Sequence, residues 1–236
     1  MAKRAFVLRV GIVCSLAVAA CSQSDPEPVS EDYYPLVPGA SWTYFHSSRG
    51  GWDETVTVQN GEKPGEFLLT DTANPVGERS ENTLKKRGTA MLRIGKLFYR
   101  NDALAYSVTY DPGFLRFDEK WLQEEPPFEE ELAYLRTETD VGEAPAAPAE
   151  RSHVYTVESL SETVEVEGRT FHNCVRIRRL SNWVPSLAAG GDLPASSLSP
   201  RDEEGKLFWF APGVGKVREQ NLDNGNTEVL VDYHIP

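Results

Sequence analysis

Most of the chain alternates between apolar and polar residues with a period of two, the pattern of strands that bury one face. The clearest example is a run in which Leu104, Tyr106, Val108 and Tyr110 share one face and smaller residues share the other. Similar stretches recur at short spacing, at residues 41–46, 55–58, 67–70, 84–87, 90–94, 97–100, 154–157, 164–166, 174–179, 207–210, 216–220 and 229–233. This pattern predicts a mainly β protein.

Turn signals separate the predicted strands. Asn60-Gly61 and Asn224-Gly225 are dipeptides typical of β-hairpin connections. A convincing helical period of 3.6 is missing from every window of twelve or more residues, and the best helical candidate is residues 129–135 (EEELAYL). We therefore predict one curved antiparallel sheet, a half-barrel or open barrel, with at most a short helix.

Two stretches interrupt the strand pattern. Residues 118–152 hold eleven acidic residues and the proline-rich segment GEAPAAPAE, and residues 183–205 are rich in Gly, Pro and Ser. We predict both as long loop insertions. Because each flanking part is too small to close its own core, we expect a single β-rich domain over residues 34–236.

The first twenty residues have the features of a secretory signal peptide. Three basic residues come first, and the apolar run at 10–20 is too short for a membrane-spanning helix, which needs about 20 apolar residues. The sequence Val18-Ala19-Ala20-Cys21 resembles a bacterial lipobox. This resemblance implies cleavage between Ala20 and Cys21 and acylation of Cys21. The alternative is an ordinary signal peptide that happens to have Cys after Ala-x-Ala.

A lipidated Cys21 would fix the protein to a membrane, because each buried methylene contributes about 0.8 kcal/mol and the modification adds three acyl chains. Residues 21–33 then form a polar tether. Ser22 after the cysteine resembles the signal for release to the outer membrane in enterobacterial-type sorting. We therefore expect a lipoprotein of the cell envelope, in the outer membrane and facing the periplasm.

The net charge and the cysteine content limit the partners that the domain could bind and the disulfide bonds that it could form. The formal net charge is −12, and it becomes −15 without residues 1–20, so the domain should repel nucleic acid. Once Cys14 is removed and Cys21 is acylated, Cys174 has no cysteine to pair with. We predict that Cys174 is a small buried apolar residue.

Local motifs for catalysis are missing from the sequence. His46, His153, His172 and His234 have no metal-ligand spacing, and no nucleophile elbow of the G-x-S-x-G type is present. We therefore predict no metal, no cofactor and no catalytic residues. The 36 carboxylates leave a glycosidase-like pair open as an alternative.

Aromatic residues give the one hint of a binding surface. The segment 207–210 (LFWF) is apolar on both faces of its strand, and Tyr106 with Tyr110 adds a second aromatic row. These residues either pack in the core or line a groove for an apolar ligand. The candidate groove consists of Tyr106, Tyr110 and Trp209.

Four segments, in order, resemble a group of uncharacterised bacterial β-rich lipoproteins. They are residues 34–44 (YPLVPGASWTY, like YxPLxPGxxWxY), 110–115 (YDPGFL), 164–174 (VEVEGRTFHNC, like VxVPAGxFxxC) and 209–217 (WFAPGVGKV, like YxAPGVGxV). Glu167 and Arg169 depart from the pattern at a turn. The group is similar in shape to lipoprotein-carrier half-barrels (LolA/LolB-like), which implies a curved sheet that cups an apolar ligand and transfers no residue roles.

The leading hypothesis is a non-enzymatic, membrane-anchored lipoprotein whose β domain binds a lipid, a peptide or another envelope protein. One alternative is a periplasmic hydrolase that uses carboxylates. Another is a purely structural subunit of an envelope complex.

Overall fold

The computed structural model describes residues 31–181 and 205–236, and over this part the chain is built from antiparallel strands. The signal peptide, residues 21–30 of the tether (including Cys21) and residues 183–204 of the loop predicted at 183–205 lie outside the described residues. The prediction of a mainly β protein is confirmed.

Twelve strands are described, and each predicted strand falls within one of them. They are β1 (Ser41–His46), β2 (Trp52–Asn60), β3 (Glu66–Asp71), β4 (Glu78–Arg87), β5 (Ala90–Arg100), β6 (Ala103–Asp118), β7 (Phe128–Asp140), β8 (Ala149–Val166), β9 (Arg169–Ser181), β10 (Lys206–Ala211), β11 (Gly215–Asn221) and β12 (Thr227–His234). Short 3-10 turns lie at Ser48–Gly50 and Glu119–Gln123.

The sheet closes into a barrel, so the predicted half-barrel or open barrel is wrong on this point. Each strand pairs with its neighbours in the chain, and β1 also pairs with β12, as in Trp42 opposite Tyr233. All six residues of β1 find partners on both sides. Closure leaves neither β1 nor β12 as an unpaired edge, which a strand would otherwise expose to other chains.

Residues 118–152 do not form one long loop, and the candidate helix within them is a strand. Strand β7 (Phe128–Asp140) pairs with β6 on one side and β8 on the other. Along it, Tyr134 and Arg136 are buried, while Glu129 and Glu131 are exposed. The run of glutamates hides this alternation in the sequence, because Glu130 on the inward face is as polar as its outward neighbours.

Both Asn-Gly hairpins are confirmed, with connections longer than a two-residue turn. The connections span residues 61–65 and 222–226. The tight turn between β5 and β6 is instead made by Asn101 and Asp102, both with positive φ. Asn and Asp tolerate this left-handed conformation better than most residues.

The N-terminal segment covers one end of the barrel, which we call the floor end. Tyr34 stacks near Phe117 and Phe210, at centroid distances of 6.5 and 5.9 Å. The backbone N–H of Gly213 donates to the Asp32 carbonyl at 2.8 Å. Trp121, which is fully buried, packs edge-on against Phe117. The floor end is therefore filled by aromatic side chains.

The opposite end, which we call the mouth end, carries the turns at 47–51 and 222–226. The Ser47 N–H donates to the Thr227 carbonyl at 2.9 Å, which holds these two turns together. Elsewhere, the hairpin of β8 and β9 contacts β11 and β12, which are not its neighbours in the sheet. That hairpin helps to bury Trp209, whose indole N–H donates to Glu162 at 2.8 Å.

Candidate functional site

A cavity of about 510 Å³ occupies the inside of the barrel. At the floor end it is lined by Tyr34, Pro35 and Leu36, and at the mouth end it reaches the exposed side chains of Asn224 and Asn226. Between these ends, residues with ionisable side chains line much of the wall. They are His46, Glu54, Asp71, Arg93, Lys96, Arg116, Arg179, Lys206, Lys216, Glu219 and Glu228.

Strand register explains why so many charges face inward. Residues directly opposite each other on neighbouring strands share a face. Glu228 lies opposite both Glu219 and His46, and His46 lies opposite Trp52. The same inward row therefore crosses four strands and brings together residues far apart in the sequence.

On β10, β11 and β12, two lysines and two glutamates form a connected ion-pair network. Lys206 Nζ lies 2.5 Å from Glu219 Oε1, and Lys216 Nζ lies 2.9 Å from Glu219 Oε2. Lys216 also contacts the Glu228 carboxylate. Burial by itself lowers the pKa of Lys216, but the carboxylates of Glu219 and Glu228 outweigh it and raise that pKa. The lysine is therefore charged inside the barrel.

His46 stands between two carboxylates on the same inward row. Its Nε2 lies 3.2 Å from Glu54 and its Nδ1 lies 3.9 Å from Glu228, while the ring stacks on Trp52 at 4.2 Å. His46, Glu54 and Glu228 are close enough to be considered as metal ligands. However, each ring nitrogen faces a different carboxylate and Lys216 already binds Glu228, so the geometry favours hydrogen bonding over a shared ion.

Asp71 is a cavity-lining carboxylic acid whose pKa is raised. Burial, together with the nearby charge of Glu54, raises the pKa of Asp71 to about 7, against a hydrogen bond from the Ser80 hydroxyl. The positive charges of Lys96 and Arg93 act in the opposite direction. Asp71 therefore exists as a mixture of acid and carboxylate near neutral pH.

Three arginines that line the cavity surround one aromatic ring. The guanidinium carbons of Arg179, Arg93 and Arg116 lie 5.0, 5.3 and 5.8 Å from the centroid of Phe114. Arg93 and Arg179 are buried, and all three line the cavity. We call these three residues the arginine cluster. Sequence reasoning missed it because its members come from β5, β6 and β9.

The three residues of the predicted apolar groove do not come together. Tyr106 stacks on Phe98 at 4.9 Å, and Tyr110 packs with Phe114 and Tyr134 in a small aromatic core. Trp209 lies between Phe208 and Phe210, which face the cavity, so its own side chain is on the opposite face of the sheet. None of the three predicted groove residues lines the cavity in the described part of the chain.

The two remaining cysteine predictions have different outcomes. Cys21 lies outside the described residues, so acylation stays a prediction. Cys174 is buried with no exposed surface, and burial raises the pKa of its thiol to about 12, with a further contribution from Glu162. The prediction of a small buried residue at Cys174 is confirmed.

No protein-family model, curated protein or solved structure matches this chain. Within residues 31–181 and 205–236, no helix is long and apolar enough to cross a membrane.

Proposed function

We propose that this protein is a membrane-anchored bacterial lipoprotein that binds a small molecule inside its barrel without transforming it. The observation that carries the proposal is the interior cavity of about 510 Å³. Small-molecule sites are typically concave and of about 300 to 1,000 Å³, with a few polar groups at fixed positions. A purely structural barrel would gain stability by filling this space with side chains.

The outer surface supports a ligand inside the barrel over a protein partner outside it. The large apolar side chains that are more than a third exposed are distributed over several strands and turns of the described part. They are Val37, Phe45, Val76, Leu104, Leu135, Val141, Leu180 and Leu222. A protein-binding face usually concentrates such residues in one patch.

The anchor part of the proposal rests on the lipobox-like sequence that ends at Cys21. The chain from Cys21 reaches the barrel at its floor end, where Tyr34 and Pro35 lie beneath the cavity. The mouth end is at the opposite end of the strands. A ligand would then enter from the side away from the anchor, in the periplasm.

Native mass spectrometry of the protein extracted from membranes in mild detergent tests this proposal. The expected spectrum shows a chain that begins at Cys21 with the mass of three acyl groups, together with a non-covalent adduct that is lost on collisional activation. A soluble chain without acyl groups would contradict the anchor. An acylated chain that takes up no small molecule from a periplasmic extract would contradict the binding role.

A second candidate function, a carboxylate-dependent glycoside hydrolase, is favoured by one specific observation. Asp71 and Glu54 both line the cavity, and the pKa of Asp71 is raised to about 7 by burial and by Glu54. Glycoside hydrolysis uses a pair of carboxyl groups, one of which has a raised pKa and acts as the acid. Release of nitrophenol from a panel of 4-nitrophenyl glycosides, lost in Asp71→Asn, would establish this function and overturn the non-enzymatic proposal.

A further inference from the structure

A row of interacting polar side chains crosses the cavity wall from β1 to β4. His46 Nε2 lies 3.2 Å from Glu54 Oε2, and the charge of Glu54 acts on Asp71 on the next strand. The Ser80 hydroxyl donates to the Asp71 carboxylate, and the Asn82 amide N–H donates to the Ser80 hydroxyl oxygen at 3.1 Å. All of these residues line the cavity. The row therefore offers a ligand a series of hydrogen-bonding groups on one wall.

Two polar atoms, one at each end of this row, have no hydrogen-bond partner within the described part of the chain. They are the amide oxygen of Asn82 and the indole N–H of Trp52, whose ring stacks on His46 at 4.2 Å. Both residues line the cavity, and Asn82 is only 8% exposed. A buried polar atom without a partner is destabilising, so both atoms favour an occupant that supplies the missing hydrogen bond. The torsion that orients an asparagine amide is broad, which lets Asn82 rotate to meet such an occupant.

The two atoms need partners of opposite kinds. The Asn82 oxygen accepts a hydrogen bond and the Trp52 N–H donates one, and a hydroxyl group can serve as partner to either. An ionised carboxylate has about four acceptor positions, so Glu54 between them can accept from a ligand hydroxyl as well as from His46. A molecule with several hydroxyl groups therefore satisfies the whole row.

Aromatic rings stand beside this row on the neighbouring strand. Tyr44 lies directly opposite Glu54 in the pairing of β1 with β2, so the two side chains are neighbours on one face of the sheet. Trp42 and Tyr44 both line the cavity. Their polar atoms already donate to backbone carbonyls, at 2.6 Å to Val214 and at 3.2 Å to Lys216. The two rings therefore contribute apolar surface to the cavity.

Given the binding role proposed above, on which the following depends, we infer that the ligand of the barrel is a short saccharide. Its hydroxyl groups pair with the row that ends at Trp52 and Asn82, and its C–H groups lie against the aromatic rings beside that row. A sugar ring carries hydroxyl groups around its edge and C–H groups on its faces, so its chemistry matches both surfaces. The cavity of about 510 Å³ is within the size range of small-molecule sites.

Isothermal titration calorimetry of the membrane-extracted protein, in a detergent without a sugar headgroup, tests for a bound saccharide. The probes are glucose, N-acetylglucosamine, maltose, cellobiose, lactose and trehalose. We expect at least one of them to bind with a dissociation constant of about 1 mM or lower. N-Phenyl-1-naphthylamine, a fluorescent aromatic probe without hydroxyl groups, tests independently whether the cavity takes up small molecules.

Two variants locate the bound saccharide. Asn82→Leu removes the amide, and Trp52→Phe removes the indole N–H but keeps an aromatic ring, so each should weaken binding of the sugar about tenfold. Gln59→Leu and Trp209→Phe are the matched controls and should leave binding unchanged. Gln59 is an exposed amide on β2, and the indole of Trp209 is on the outer face of the sheet. Circular dichroism checks folding, and Trp52→Phe provides the test if Asn82→Leu fails to fold.

Deoxy analogues show whether Asn82 contacts the sugar directly. For the sugar that binds most tightly, each hydroxyl is replaced by hydrogen in turn. If Asn82 binds one hydroxyl, the analogue that lacks it should bind equally well to the wild type and to Asn82→Leu, because the contact is already lost. If every analogue is weakened by Asn82→Leu as much as the parent sugar is, the proposed contact is wrong.

The class of ligand and the binding role can fail separately. If none of the sugars binds but N-phenyl-1-naphthylamine does, the saccharide class is overturned and the binding role stays intact. If a sugar binds equally well to the wild type, Asn82→Leu and Trp52→Phe, its site is not this wall of the barrel and the inference is overturned. If neither the sugars nor N-phenyl-1-naphthylamine bind and no ligand copurifies, the binding role itself is wrong.

Discussion

The ammonium of Lys216 lies 2.9 Å from the Glu219 carboxylate inside the barrel and 4.7 Å from the centroid of the Tyr44 ring. The two side chains are only 15% and 11% exposed, so water screens the pair weakly. Burial raises the pKa of the Glu219 carboxyl, but the charges of Lys206 and Lys216 outweigh it and lower that pKa well below its ordinary value. Both partners of the pair are therefore ionised.

Removal of the Lys216 charge should destabilise the fold. Lys216→Met leaves Glu228 without its ammonium partner and removes one of the two ammonium partners of Glu219. We therefore expect a loss of roughly 3 to 5 kcal/mol in the free energy of unfolding. Chemical denaturation measures it. Lys86→Met is the control, since the Lys86–Glu119 pair is on the surface and should contribute less than about 1 kcal/mol. Equal losses in the two variants would contradict the role of the buried network.

Asp71 should make stability fall as the pH rises towards neutrality. The native state keeps the Asp71 proton up to pH about 7, whereas the unfolded chain loses it near its ordinary pKa of 3.8. Between these values the native state binds more protons, so the free energy of unfolding decreases with rising pH and levels off above pH 7.

Asp71→Asn removes this dependence. Relative to that of the wild type, the free energy of unfolding of the variant should therefore increase by roughly 1 to 4 kcal/mol as the pH goes from 4 to 8. Urea unfolding at each pH measures this difference. The groups that act on Asp71 are Glu54, Ser80, Lys96 and Arg93, and all four remain in place. Asp232→Asn, at an exposed position, should follow the wild-type curve. Parallel curves for Asp71→Asn and wild type would show that Asp71 does not titrate in this range.

The thiol of Cys174 should be inert in the native protein. Because it is buried and its pKa is raised to about 12, thiolate is scarce and reagents cannot reach it. In a chain that starts at residue 22, in which it is the sole cysteine, we expect Cys174 to react with a disulfide reagent only in denaturant. The variant Ser161→Cys, which adds an exposed thiol on β8, should react at once. Fast labelling of Cys174 without denaturant would refute the packing.

Cys21→Ala should release the protein from membranes without changing its fold. The acyl chains are the proposed attachment, and the acidic domain has no attraction for anionic headgroups. Labelled palmitate should appear on the wild type and not on the variant, which should stay in the supernatant after ultracentrifugation. Sedimentation of the variant with membranes in high salt would show that another part of the chain binds them.

The strands could be predicted from the sequence wherever one face is apolar. Residues 41–46 coincide with β1, and the alternation around Val108 and Tyr110 places both side chains inside the barrel. The alternation fails in β7, because inward residues such as Glu130 are charged and bind Lys120 at 2.7 Å. Closure could not be predicted either, since it depends on the pairing of β1 with β12 across nearly the whole chain.

The candidate site was beyond sequence reasoning for a related reason. Arg93, Arg116 and Arg179 are separated by long stretches of chain, and each alone looks like a surface arginine. A charged residue at an inward position interrupts the apolar pattern that identifies a strand. The sequence pattern therefore does not show that these arginines face a cavity. Trp209 is the converse case. Its aromatic side chain suggested a groove position, but it lies on the outer face of the sheet.

The pairing of Trp42 on β1 with Tyr233 on β12 determines when the barrel can close during synthesis and folding. Strand β1 cannot pair with β12 until β12 has been synthesised, so a nascent chain leaves the edges of its sheet unpaired for most of its synthesis. Long-range pairing of this kind also slows folding. The two edges stay open to pairing with other chains until the eight residues of β12 are available.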